Sequence, residues 1–169
     1  MSLAYSIRPE APGDERPIHD LVKRAFAPMP FANGDEQDLV DTLRERGELA
    51  LSLVALDPAG AIIGHVAFSP ATIDHATCGW FQMAPVAVCP TLQHRGIGSS
   101  LIREGIEQLR RSGAKGVAVV GNPAYYERFG FAMTPDLVPL SDHDAPFFRA
   151  MRLEGLVPTG VLRYASAFG

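Results

Sequence analysis

Residues 79–120 constrain the fold most, because they join two strand-like apolar runs through an amphipathic helix. Residues 79–88 are predicted as a strand, 98–111 as a helix and 116–120 as a second strand. Two strands connected through a crossover helix lie parallel in one sheet. The rest of the chain must therefore be arranged around a mixed α/β sheet.

The other elements follow from apolar periodicity and turn residues. Asp57-Pro58-Ala59-Gly60 separates two apolar runs and predicts an antiparallel hairpin between them. The remaining predictions are strands at 3–7, 49–56, 61–73, 131–138 and 148–153 and helices at 18–26, 35–46 and 123–128. Together they predict a mixed, mostly antiparallel sheet of about seven strands, flanked by helices.

Size and charge limit the class of protein. The chain has 169 residues, of which 47% are hydrophobic and 20% charged, and this composition fits a single globular domain over residues 1–169. The formal net charge is -4, from 15 Lys and Arg against 19 Asp and Glu. No overall positive charge attracts nucleic acid or an anionic membrane, so we expect neither as a partner.

The two cysteines, Cys78 and Cys89, form no C-x-x-C pair and no Cys/His ligand spacing. A structural zinc site is therefore not expected, and we predict no metal. The first ten residues lack a basic flank leading into an apolar core, and no apolar run approaches the roughly 18 to 20 residues of a membrane span. We expect a cytoplasmic protein with reduced thiols.

Gly96-Ile97-Gly98 lies where the predicted strand gives way to the helix. The amides at a helix N-terminus carry about half a positive charge and bind phosphate oxygens well. Glycines at 96 and 98 give clearance and permit positive φ, and Arg95 adds a fixed cation. A plain strand-to-helix turn is the alternative interpretation of the glycines alone.

Two other phosphate loops do not fit the sequence. The pattern G-x-x-x-x-G-K-[ST] is absent, and Leu101 stands where G-x-G-x-x-G needs its third glycine. A hydrolysable nucleotide and a dinucleotide are therefore disfavoured.

Two motifs resemble one known family. Val88-x-Pro90-x-x-Gln93-x-x-Gly96-x-Gly98 is similar to the acetyl-CoA-binding motif V-x-P-x-x-[QR]-x-x-G-x-[GA] of the GNAT superfamily of N-acyltransferases. Residues 121–131, GNPAYYERFGF, are similar to the G-x-P-x-Y-Y-x-R-F-G-F of one group of bacterial N-acetyltransferases in it. The element order resembles the family over about residues 5–155. The resemblance implies the GNAT fold and transfer of acetyl from acetyl-CoA, as cosubstrate, to an unidentified primary amine of a small molecule, peptide or protein by direct attack.

The resemblance also assigns cofactor-binding residues. Backbone groups of Val86, Ala87 and Val88 would bind the pantetheine arm, which the family admits between splayed fourth and fifth strands. A fourth-strand N–H would polarise the thioester carbonyl. The pyrophosphate would be held, mainly by amides, by Gln93, His94, Arg95, Gly96, Ile97, Gly98, Ser99 and Ser100.

Tyr126 falls where the family places the tyrosine that protonates the departing CoA thiolate. Tyr125 is the substitute if the register differs by one residue. Asn122 corresponds to an Asn that bonds pantetheine in many members, but it stands only four residues before Tyr126, with Pro123 between them, so the helix is shortened here.

The general base is less evident. Family members often use a Glu on the fourth strand, but residues 80–84 read WFQMA, without an acid. Glu36 is the first candidate, because residues 33–36 lie where the loop between the first two helices would meet the acceptor cleft. Glu36 also fits a carboxylate favoured by a helix N-terminus. His65, His75 and a water chain are the other candidates.

Two broader alternatives remain open at the level of sequence. A non-catalytic acyl-CoA-binding regulatory module would keep the glycines and lose the acid/base groups. The apolar tail at 155–169 is suited to pack on its own domain or on a second copy, so a homodimer is also predicted as one possibility.

Overall fold

The computed structural model describes residues 3–30 and 32–169. The helices are α1 (Glu15–Phe26), α2 (Glu36–Glu45), α3 (Ile97–Arg111) and α4 (Pro123–Glu127). The strands are β1 (Ser6–Pro9), β2 (Leu51–Leu56), β3 (Ile62–Ile73), β4 (Ala76–Val88), β5 (Gly116–Val120), β6 (Leu137–Pro139), β7 (Phe148–Arg152) and β8 (Gly160–Arg163). Within these ranges, no helix has the length and apolar content that a bilayer span requires.

The eight strands of the described residues form one mixed sheet, in the order β1-β2-β3-β4-β5-β7, with β8 on β3 and β6 on β8. The pairs β4–β5 and β6–β8 are parallel, whereas β1–β2, β2–β3, β3–β8 and β5–β7 are antiparallel. The predicted mixed, mostly antiparallel sheet is confirmed. The additional strand is β8, which lies in the tail where the sequence predicted none.

Two strands, the first and the sixth, differ most from the predictions. β1 begins at Ser6 rather than at residue 3, because its pairing with β2 runs from Ser6↔Leu56 to Pro9↔Leu53. The strand predicted at 131–138 is reduced to β6 and an isolated bridge between Ala132 and Ala150. Pro135 lies between these two parts, and a proline cannot donate a ladder hydrogen bond.

The chain divides into two compact units. The first comprises Met1–Phe68 and Ala84–Gly105, and the second comprises Ser69–Met83 and Ile106–Gly169. Strands β3 and β4 and helix α3 therefore each contribute residues to both units. That residues 1–169 form a single domain stays a prediction.

The core of the first unit is built from amphipathic helices on the sheet. Its buried cluster contains Ile18, Val22, Ala25, Val40, Val54 and Ala87. Helix α3 approaches β3 closely at Gly64, where a Cβ would lie 2.9 Å from side-chain atoms of both Ile97 and Leu101. The predicted amphipathic helix thus buries its apolar side against the sheet, with Leu101 and Ile102 fully buried.

The core of the second unit forms around Trp80 and the tail. Its buried cluster contains Ala71, Ile73, Trp80, Ala118, Leu137, Phe148, Ala150 and Leu162. The Trp80 ring lies against the backbone of Gly116, where no Cβ would fit. Leu162 of β8 is fully buried, so the apolar tail packs on its own unit.

Candidate active site

The predicted acetyl-CoA residues fall into both units. Residues 86–88 and 93–100 belong to the first unit, as does Glu36, whereas Asn122 and Tyr126 belong to the second. We call residues 93–98 the glycine loop.

The glycine loop begins from a turn at the end of β4. A short 3-10 turn, Pro90–Leu92, follows Cys89, and the Leu92 amide donates to the Cys89 carbonyl at 2.8 Å. The Gln93 side-chain amide then donates to the Val88 carbonyl at 3.3 Å, which ties the loop to the end of the strand. His94 has φ 64° and is exposed.

Gly96 gives the loop its conformation and its clearance. Its φ is 88°, in the left-handed region that other residues avoid. A Cβ at this position would meet nothing within 4 Å, so the space above the glycine is open. Gly98, by contrast, is the second residue of α3, where the backbone is helical. Only the first of these two glycines therefore needs positive φ.

Helix α3 begins directly at the loop. The Ser100 amide donates to the Gly96 carbonyl at 3.0 Å, so helical hydrogen bonding starts at Gly96. The first amides of α3 consequently point out of the helix end toward the loop. The first turn carries no acidic residue, whereas Arg110 and Arg111 stand in the last turn. The helix end thus keeps the partial positive charge that attracts an anion.

The structure adds Tyr5 to this site. Its hydroxyl lies 2.6 Å from the Ser100 hydroxyl and donates to the Gly96 carbonyl at 3.4 Å. Tyr5 therefore supports the start of α3 from a residue 95 positions away from Ser100. The sequence showed Tyr5 only as part of an alternating strand pattern, so no local signal marked this contact.

Tyr126 lies on the short helix α4, with its ring half-buried. The ring makes edge contacts with Tyr125, at 5.0 Å between centroids, and with Phe131, at 6.0 Å. Burial, with a smaller contribution from Tyr125, raises the pKa of Tyr126 to about 12. The phenol is therefore protonated at physiological pH and can act as a proton donor.

Asn122 is the N-cap of α4. Its side-chain oxygen accepts a hydrogen bond from the Ala124 amide at 3.1 Å, and Pro123 occupies the first helical position. Both features favour a helix start. Asn122 therefore has a structural reason to be present, and its predicted contact with pantetheine stays a prediction.

An ion pair that sequence reasoning missed holds α4 to β7. Arg149 donates from Nε to Glu127 at 3.1 Å and from Nη1 to the carbonyls of Pro146 and Phe148. The Arg128 guanidinium lies 4.5 Å from the Tyr125 ring centroid, which is a contact within the α4 segment itself. The Glu127–Arg149 ion pair is therefore the charged contact that links α4 to β7.

Glu36 is the first residue of α2, and both of its carboxylate oxygens are occupied by the preceding turn. The Asn33 amide donates to one oxygen at 2.9 Å and the Gly34 amide to the other at 3.1 Å. This geometry gives Glu36 the helix N-terminal role that was its alternative interpretation. Its role as general base stays a prediction.

His65 is fully buried in β3 and belongs to a polar chain. The Ser52 hydroxyl donates to Glu10 at 2.7 Å and lies 2.8 Å from His65 Nε2. Arg44 in turn forms two hydrogen bonds to Glu10, at 2.7 and 2.9 Å. Because the hydroxyl hydrogen goes to Glu10, His65 Nε2 must donate to Ser52, which leaves Nδ1 as the acceptor nitrogen.

The environment of His65 disfavours its protonation. Burial lowers its pKa to about 4, with Glu10 opposing this effect and Arg44 adding to it. Its Nδ1 atom is buried and has no hydrogen-bond partner among the described residues. His75, the other histidine considered as a base, is exposed with φ 68° in the two-residue turn between β3 and β4.

A small cluster of possible metal ligands lies between α1 and α2. His19, Asp38 and Asp41 each place one ligand atom within 4.8 Å of the others. His19 Nδ1 lies 2.7 Å from Asp41, which also accepts a hydrogen bond from Arg44 at 3.2 Å. Asp41 is thus already paired with a guanidinium, and exposed acidic groups are common without an ion, so this cluster carries no metal proposal.

The sequence of this chain is similar to a known domain family and to known proteins. A sequence model of the acetyltransferase (GNAT) domain matches residues 49–133. The chain is also similar to the uncharacterized N-acetyltransferase YhbS of Escherichia coli (strain K12). The two are 40% identical over 127 residues, which make up 75% of this chain and 73% of YhbS.

Two solved structures are similar over nearly the whole chain. A GNAT family acetyltransferase from Brucella melitensis, in complex with acetyl-CoA, matches with a TM-score of 0.88 and 38% identity, covering 98% of this chain and 99% of that one. YhbS from Escherichia coli, in complex with CoA, matches with a TM-score of 0.90 and 35% identity, covering 99% of this chain and 93% of that one. Both similar proteins were thus solved with a coenzyme A compound bound.

Proposed function

This chain belongs to the GNAT superfamily and is an acetyl-CoA-dependent N-acetyltransferase, and we propose that its acceptor is a primary amine of a small molecule, a peptide or a protein. The family resemblance of the two motifs is confirmed by the matched domain and by relatives of 38% and 40% identity. The acceptor class is our inference from direct acyl transfer to nitrogen.

The observation that carries the proposal is the glycine loop at the start of α3. Gly96 has positive φ and open space above it, and the first turn of α3 has no acidic residue. These features fit a diphosphate, whose oxygens would accept hydrogen bonds from the backbone amides. Arg95 is exposed beside them and would add a cation. We propose that residues 93–100 hold the pyrophosphate of acetyl-CoA in this way.

We propose that the backbone of Val86, Ala87 and Val88 binds the pantetheine arm of acetyl-CoA. The registered pairing of β4 with β5 covers Trp80 to Gln82, and β4 continues from there to Val88. A backbone N–H of β4 would also donate to the thioester oxygen, where negative charge develops during attack. Asn122 is a further candidate for a pantetheine contact, beside its role as N-cap.

In the proposed reaction the amine nitrogen forms a bond to the acetyl carbon, and the carbon–sulfur bond of the thioester breaks. Tyr126 gives its phenolic proton to the departing thiolate. The nitrogen loses one proton to a base, and the phenolate of Tyr126 regains a proton from solvent. The high pKa of Tyr126 keeps the donor protonated before each turnover.

Direct attack also needs a base that removes a proton from the amine. Glu36 is retained as the candidate, with a water chain as its alternative, because direct attack needs a neutral amine. His65 is a weaker candidate, because it is fully buried in β3 and its Nε2 atom is already engaged with the Ser52 hydroxyl. Glu36→Gln should lower kcat if the carboxylate takes the amine proton, whereas an unchanged kcat would leave the water chain as the base.

A cytoplasmic location belongs to the same proposal. Acetyl-CoA is available in the cytoplasm, and both cysteines are half-buried free thiols, as reducing surroundings keep them. The tail no longer argues for a dimer, because it packs on its own unit. Sedimentation at several protein concentrations decides between monomer and dimer.

Thermal unfolding with different ligands tests the cofactor assignment. Acetyl-CoA and desulfo-CoA, at a hundred times their dissociation constants, should stabilise the native state by about 2.7 kcal/mol and raise the unfolding midpoint by a few degrees. ATP and NAD at the same concentrations should raise it much less. A larger shift with ATP or NAD than with the CoA compounds would overturn the assignment of the glycine loop.

A further inference from the structure

The Tyr126 ring lies directly against the backbone of Gly121. A Cβ at Gly121 would come within 2.7 Å of Tyr126 Cε2, 3.4 Å of Cδ2 and 3.6 Å of Cζ. Real Cβ contacts essentially never fall below 3.0 Å. Any side chain at residue 121 would therefore displace the part of the ring that carries the hydroxyl.

The backbone conformation of residue 121 does not require a glycine. Gly121 is not among the described glycines with positive φ, so alanine can adopt its backbone conformation. Its amide donates to the Phe147 carbonyl at 3.1 Å, which holds the backbone in place. The close approach of the Tyr126 ring is therefore the reason that a side chain is excluded here.

The ring cannot move aside freely. Tyr125 and Phe131 meet it edge-on, with interplanar angles of 81° and 79°. Its backbone is fixed as well, because the Tyr126 amide donates to the Asn122 carbonyl at 3.2 Å. A methyl group added at Gly121 would thus move the hydroxyl rather than be absorbed by a flexible side-chain end.

We propose that Gly121 is a positioning residue for acetyl transfer, because its missing side chain lets the Tyr126 hydroxyl reach the point from which it protonates the CoA sulfur. The inference rests on the proposed role of Tyr126 as the proton donor. Gly121 is given no contact with the substrate or the reacting atoms. It acts by leaving room for the Tyr126 ring.

The test is a double-mutant cycle on kcat. Gly121→Ala should lower kcat at least tenfold, approaching the loss in Tyr126→Phe, while the KM for acetyl-CoA stays within about twofold. In the Tyr126→Phe background, Gly121→Ala should change kcat by less than about twofold, since the hydroxyl is already absent. Ala124→Ser, which adds one atom on the exposed side of α4, is the matched control and should retain the kcat of the parent protein.

The outcomes distinguish a failure of the proposed proton donor, Tyr126, from a failure of the positioning role proposed for Gly121. If Tyr126→Phe leaves kcat unchanged, the proposed proton donor is wrong and the inference fails with it. If Tyr126→Phe lowers kcat but Gly121→Ala does not, the inference alone is overturned. A further tenfold loss in the double variant would show a merely structural role for Gly121, which also contradicts the proposal.

A folding defect in Gly121→Ala would still be informative. The combination Gly121→Ala with Tyr126→Ala removes the ring that the added methyl group meets. In the Tyr126→Ala background, Gly121→Ala should lower the thermal unfolding midpoint much less than it does in the parent protein. If the added methyl group lowers the midpoint equally in both backgrounds, the contact with Tyr126 is not what excludes a side chain at residue 121.

Discussion

At the scale of single residues, the proposed chemistry depends on Tyr126, a tyrosine whose proton is held tightly. Partial burial between Tyr125 and Phe131 raises the pKa of Tyr126 to about 12. A donor with this pKa is poorly acidic in isolation, so it must act as the carbon–sulfur bond breaks and the thiolate forms. The same environment keeps the proposed donor protonated at neutral pH.

Tyr126→Phe should lower kcat about 100-fold, because it removes the proton donor and keeps the ring packing. The kcat of the parent protein should not fall between pH 8 and about pH 10, since a phenol with pKa about 12 remains protonated there. Steady-state rates across this pH range check both statements. Tyr125→Phe is the matched control, and a loss in that variant with none in Tyr126→Phe would reassign the donor to Tyr125.

His65 predicts how stability depends on pH. Its pKa in the folded state, about 4, lies below the ordinary value of 6.5, so the unfolded chain binds a proton first on acidification. Stability should therefore fall as pH drops from about 6.5 to about 4, by about 3 kcal/mol in total. Glu10, whose pKa is lowered despite burial because Arg44 and Ser52 bind it, loses its contribution only below its ordinary 4.5.

Denaturant unfolding at several pH values between 4.5 and 7 measures the contribution of His65. His65→Gln should flatten the pH dependence in this window, whatever its effect on stability at neutral pH. His75→Asn replaces the exposed turn histidine and should leave the slope unchanged. An unchanged slope in His65→Gln would contradict the burial of a neutral histidine in β3.

At the scale of elements, the start of α3 is the feature that we propose binds the cofactor. Gly96→Val should abolish acetyl-CoA binding, since a β-branched side chain would occupy the open space above the loop and resist positive φ. Gly60→Val is a matched control: Gly60 has φ 89°, meets nothing within 4 Å and lies in the turn between β2 and β3. Isothermal titration should show binding lost in the first variant and kept in the second.

Strand β8 should contribute substantially to the stability of its unit. Leu162→Ala should cost about 2 to 5 kcal/mol, because Leu162 is fully buried in the core around Trp80. Leu156→Ala, in the same tail but 91% exposed, should change stability by less than about 0.5 kcal/mol. Equal effects in denaturant unfolding would contradict the packing of β8.

At the scale of the whole molecule, features with a local sequence signal were predictable, whereas contacts between residues far apart in the sequence were not. The crossover through α3 and the loop at Gly96 were predictable, because periodicity and glycine spacing act within a few residues of sequence. β8 was not, since its four residues depend on pairing with β3, where Ile73 meets Leu162. Tyr5 at Ser100 and Glu127 at Arg149 were missed for the same reason, because neither contact leaves a local pattern.

As an enzyme, this protein transfers acetyl groups to an amine, whereas a binding module would only hold acyl-CoA. The most direct measurement incubates it with acetyl-CoA and a panel of primary amines, and follows free thiol together with acetylated product by mass spectrometry. We predict that at least one amine gives thiol and N-acetyl product in equal amounts, at a rate that Tyr126→Phe reduces about 100-fold. Acetyl-CoA binding without amine-dependent product, at the same background rate in both proteins, would contradict the claim and indicate a non-catalytic binding module.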